Sequence, residues 1–161
     1  MSYNSKKTIA SMVTGVLMVI AYIIYALSES SPAPEDLKAW AIVMLVFIGI
    51  SVVAVIIVNI LFHIAIAIGI AMKEQERDEK KIDRRLSSLM VEDERDRLIN
   101  LKSSHISSIV AGIGFVAALA GLAFGTSAVF ALHVLFGSCV VGSTAEGIAS
   151  VYFYEKGVGN G

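Results

Sequence analysis

The sequence predicts an all-α fold: a four-helix transmembrane bundle with a charged cytoplasmic helical hairpin between helices 2 and 3. Three observations carry this expectation. Apolar residues make up 56% of the 161-residue chain, and they come in uncharged runs too long for the core helices of a soluble domain. Charge is concentrated in one stretch, Lys73–Lys102, where nine Lys or Arg meet nine Asp or Glu. Those charges are helix-spaced: Glu76–Lys80, Glu74–Arg77, Asp78–Lys81, Glu92–Arg95 and Asp93–Arg97 are opposite-sign pairs three or four residues apart.

Each element follows from composition and punctuation, and together they make a single integral membrane domain over 1–161. Met1–Lys7 is short and polar, with Lys6 and Lys7. The first span is expected at 8–27, about 20 uncharged residues and enough for one crossing. It reads as an uncleaved helix, since no A-x-A site precedes Ser28. Tyr22 and Tyr25 near its end suit the interfacial aromatic belt. Ser28–Lys38 is a loop holding Pro32 and Pro34, the only prolines, and Ser31 or Pro34–Glu35–Asp36 can open the next helix.

The second span, 39–72, has no Asp, Glu, Lys or Arg. As one helix it would run about 51 Å, longer than a hydrocarbon core of roughly 30 Å, so it must tilt or project. Ala65 and Gly69 form one small stripe on it, and Ala67 and Ala71 another, surfaces that let helices approach closely. The cytoplasmic connector is expected at 73–105, with Ile82, Leu86 and Leu89 on one stripe and Asp93 able to cap a helix running into the third span. That span, 106–124, carries Gly114, Ala118, Gly121 and Gly125 as a small-residue ridge suited to packing within the bundle or between copies. Gly125–Thr126–Ser127 is a tight turn. The fourth span, 128–154, ends in Tyr152, Phe153 and Tyr154.

Orientation follows from the cations. With four spans, Lys6, Lys7, Lys156 and the connector's nine cations fall on one side, and only Lys38 on the other. Positive charge marks the cytoplasmic side, so the expectation is a multi-pass protein of the cell membrane with both termini in the cytoplasm.

An ionisable side chain inside a membrane is costly and marks a candidate site. Glu146 is the clearest case, with Ser143 on the same helix face. Depth counting puts Asn59, His63 and His105 in the same cytoplasmic half. Two histidines and a carboxylate could bind a divalent metal, relay a proton, or form a structural hydrogen-bond cluster. The residues leave these three readings open. His133 belongs to the outer half and reads as a packing residue. No cofactor is expected.

Other classes recede. A net charge of −1 gives no footprint for nucleic acid. The lone Cys139 excludes an intrachain disulfide and a cysteine zinc site. Nucleophile-elbow, phosphate-loop, C-x-x-C and H-E-x-x-H motifs are lacking.

Asp93-Glu94-Arg95-Asp96-x-x-Ile99, followed by Lys102, Ser103 and a glycine-rich span, resembles the small four-helix predicted membrane proteins of bacteria and archaea that carry an E-R-D-x-x-I cytoplasmic loop. The resemblance covers Glu92–Ser108. That group is largely of unknown function, so the resemblance implies topology and no catalytic residue. The expected function is therefore a structural or regulatory membrane protein, a homo-oligomer in the lipid bilayer. Its cytoplasmic hairpin, with Asp93, Arg95, Asp96 and Arg97, would dock a cytoplasmic protein partner. The alternative is a small cation or proton channel or transporter using Glu146 with His63 and His105. A membrane enzyme would need a polar cavity holding Glu146 and a histidine.

Overall fold

The computed structural model describes residues 3–74 and 94–157, and these form four helices. They are α1 (Tyr3–Ala26), α2 (Leu37–Glu74), α3 (Glu94–Ala123) and α4 (Ala128–Lys156). Each is long and apolar enough to cross a membrane. The charged hairpin expected between the second and third spans falls largely on 75–93, outside the described residues. The parts of it that are described, 73–74 and 94–105, are helical and continuous with the spans beside them.

The termini of these helices have local causes. The Asp36 carboxylate accepts from the Ala39 N–H at 2.9 Å and caps α2. Ser127 does the same for α4, its hydroxyl accepting from the Phe130 N–H at 3.1 Å. Between α3 and α4 the chain reverses through Gly125, whose φ of +86° favours glycine. The Thr126 N–H reaches the Gly121 carbonyl and the Gly125 N–H the Leu122 carbonyl, each at 3.0 Å. This pair of bonds is a Schellman motif, which satisfies carbonyls that the helix end would otherwise leave open.

Short connections make α1 and α2, and α3 and α4, antiparallel neighbours. The α3–α4 pair is the tightest. A Cβ on Gly114 would collide with the Ser138 side chain, and one on Gly142 would come within 3.0 Å of the Ser107 carbonyl oxygen. Gly114, Ala118 and Ser103 of α3 and Gly142 and Ser150 of α4 are all buried. Lipid tails remove most of the hydrophobic drive for helices to pair, so van der Waals contact between small residues takes its place. α1 packs on the other side of α4, where Met12 lies against Gly147.

α2 is the most loosely packed helix. It meets α1 and, less extensively, α4. Its Ile, Val and Leu side chains are exposed around most of its girth, from Ile42 to Ile68. Nothing lies within 4 Å of a Cβ on Gly49 or Gly69, and Ala65 is exposed. With 38 residues it is about 57 Å long.

Candidate functional site

Two layers define the interior. At the loop end, aromatic side chains from three helices meet. The Tyr22 ring lies 5.3 Å from Phe47, edge-on, and 4.7 Å from Phe136. Trp40 stands edge-on to His133 at 4.6 Å, and its indole N–H donates to the Ala33 carbonyl at 3.1 Å. The His133 Nδ1 is paired with the Val129 carbonyl at 2.8 Å. Such edge-on and tilted pairs suit the ring quadrupoles. Tyr22, Trp40, Met44 and Val129 are buried here and close this end of the bundle.

Below this lid α1, α2 and α4 border a half-open cavity of about 1340 Å³. Its walls near the lid are apolar, with Met18, Ile48, Val52, Leu132, Leu135 and Phe136. Toward the end that carries the chain termini the lining turns polar. Ser143, Thr144, Glu146 and Ser150 come from α4, Lys7 from α1, and Asp96, Asn100 and Ser103 from α3. The gradient has a sequence cause. α4 carries most of its polar residues after position 142, and α3 carries its own before position 109. The antiparallel pairing brings those two halves to one level, as the 3.2 Å bond from the Arg95 guanidinium to the Tyr154 carbonyl shows.

Within that lining the hydroxyls differ. Ser143 and Thr144 donate to the Val140 carbonyl at 3.0 and 2.9 Å and so are satisfied inside α4. The Ser103 and Tyr22 hydroxyls are buried with no hydrogen-bond partner among the described residues, and both border the cavity. Glu146 is half-buried on the wall and makes no hydrogen bond or ion pair within the described residues. It sits ten residues before the end of α4, about 15 Å along the helix.

Of the polar residues expected to cluster, Ser143 and Glu146 line the cavity. Asn59 and His63 lie on the stretch of α2 beyond Ile56, where the helix no longer borders it. His105 is exposed on α3 and is not part of the lining. Among the described residues, no three His, Cys, Asp or Glu side chains come together as a metal site would require. Of the residues expected on a partner surface, Asp93 lies outside the described residues. Arg95 and Arg97 are exposed, and Asp96 is half-buried on the cavity wall. Gly114 and Gly121 of the packing set lie against α4 and the turn, the latter 2.9 Å from the Thr126 hydroxyl when given a Cβ.

Sequence reasoning passed over the ring of Lys7, Asn100 and Ser103 around the cavity. Each reads as an ordinary polar residue near a helix end, and only the packing of α1 and α3 against α4 gives it a shared neighbour. No family model matches the chain, and no curated protein or solved structure matches it either.

Proposed function

We propose that this chain is a small transport protein of the cell membrane, with its termini in the cytoplasm, in which Glu146 takes the charge of a cation inside the cavity between α1, α2 and α4. The observation behind this reading is Glu146 itself: a carboxylate on a cavity wall, within a membrane-spanning helix, with no partner among the described residues. A charged side chain at membrane depth costs roughly 2.5–3.5 kcal/mol on insertion scales. A group retained at that cost needs compensation, and a cation arriving through the cavity supplies it. Orientation rests on the distribution of Lys and Arg. The reading uses neither His63 nor His105.

The test is flux in reconstituted liposomes, wild type against Glu146→Gln, with protons, divalent cations and organic cations in turn. Flux that disappears in the variant is the expected result. Equal flux in both proteins, or none in either, sinks the reading.

A second reading keeps a regulatory role, as a homo-oligomer whose cytoplasmic segment docks a protein partner. The concentration of charge over 73–102 favours it. Deleting 75–93 should then abolish partner capture while the bundle still folds. Glu92–Ser108 and its likeness to the small four-helix membrane proteins are compatible with either reading.

A further inference from the structure

The class of cation follows from the walls, and this inference rests on the reading of the cavity as a cation site. A metal ion needs several oxygen ligands at about 2.0–2.6 Å, and among the described residues no three acidic or His side chains gather to supply them. The cavity volume of about 1340 Å³ exceeds the roughly 300–1,000 Å³ usual for pockets that hold drug-sized molecules. Most of its wall is apolar, and Tyr22, Phe47 and Phe136 line its aromatic end; aromatic rings attract cationic and apolar groups alike. From Phe136 to Glu146 along α4 is ten residues, about 15 Å.

Charge and hydrogen-bonding capacity are placed at one end. Lys7, Asp96 and Glu146 are the charged residues of the lining. Their formal charges sum to −1. Lys7 lies five residues before Met12, which packs at the level of Gly147, so it sits about 9 Å nearer the end that carries the termini than Glu146. The Ser103 hydroxyl, 1% exposed and without a partner among the described residues, borders the same end. The Tyr22 hydroxyl, 7% exposed and also without a partner there, borders the other. Buried hydroxyls in native proteins are nearly always paired, and these two stand out against that rule.

We propose that the cavity binds an amphiphilic organic cation, its charged group beside Glu146 and its apolar body against Ile48, Val52, Leu135 and Phe136. A neutral lipid tail would use the walls and leave Glu146 uncompensated. An inorganic ion would use Glu146 and leave the walls wet.

The probe is tetraphenylphosphonium, with tetraphenylborate as a match of similar size and opposite charge. Binding is measured on the full chain in phosphatidylcholine nanodiscs. The expected result is one saturable site per chain, weakened at least tenfold by Glu146→Gln, largely restored by Glu146→Asp and unchanged by Glu155→Gln at an exposed position. The phosphonium should also slow maleimide labelling of Cys139, the only cysteine and itself on the cavity wall, while the borate should not. That second measurement uses wild-type protein and decides the matter if Glu146→Gln does not fold. Equal binding of both ions, or undiminished phosphonium binding to Glu146→Gln, overturns the proposal. Proton or divalent flux without phosphonium binding overturns this ligand class and leaves the transport reading standing. Phosphonium binding without flux of any cation supports the class and sinks transport.

Discussion

Single residues set the limits of this bundle, and Tyr22 and Gly114 show the two ways. The Tyr22 ring is held by Phe47 and Phe136, while its hydroxyl is buried without a partner among the described residues. Removing an unsatisfied buried hydroxyl is close to neutral or stabilising, within about 1 kcal/mol. Tyr22→Phe should therefore leave thermal unfolding in detergent unchanged or shift it upward. A large loss of stability would mean that the hydroxyl has a structural partner. Gly114 is the opposite case. Adding a methyl there drives it into Ser138, so Gly114→Ala should cost about 1–3 kcal/mol through forced separation of α3 and α4. Gly112, two residues earlier on the same helix, has nothing within 4 Å, and Gly112→Ala should stay within about 0.5 kcal/mol. Comparable losses at both positions would show that glycine matters there for something other than contact. Glu146 was legible in the sequence because a carboxylate inside an uncharged run stands out. Ser103 was not, because a serine near a helix end is common and its burial depends on another helix.

At the scale of elements, the α3–α4 hairpin is the most closely packed unit and its turn is the point to probe. Gly125 holds a positive φ, and a left-handed conformation costs roughly 1–2 kcal/mol for a residue with a Cβ. Gly125→Ala should lower the melting temperature of the full chain accordingly, and Gly125→Asn should lower it less. Equal tolerance of both would show that the turn re-forms by another route. The Gly125–Ser127 turn and the loop with Pro32 and Pro34 were readable because glycine and proline punctuate helices for steric reasons that need no tertiary context. The small ridge on the third span was also readable as a packing surface. Which helix it packs on was not, since a ridge fixes only one side of an interface. α2 illustrates the same limit. Its length follows from an unbroken apolar run, but its loose packing follows from the large side chains it carries on nearly every face. His63 is on the part of α2 past the cavity, so counting depth along the sequence could not bring it to Glu146.

At the scale of the whole molecule, four antiparallel crossings put both termini at one end. The proposed orientation makes that end cytoplasmic. In a Cys139→Ala background, a membrane-impermeant maleimide applied to intact cells should label Ser30→Cys, and should label Lys156→Cys only after lysis. The reverse pattern would invert the molecule and with it the side from which the polar end of the cavity opens. The architecture was legible because bilayer thickness and backbone hydrogen bonding leave few solutions for four long apolar runs. The cavity was not, since it depends on how far α2 stands from α1 and α4. The tight turn between α3 and α4 has a bearing on biogenesis as well. In the proposed orientation the first hairpin must carry Glu29, Glu35, Asp36 and Lys38 through the bilayer, whereas Gly125, Thr126 and Ser127 carry no charge at all. The second hairpin can thus enter the membrane already paired, delivering Glu146 and its neighbours as a preassembled half of the cavity wall.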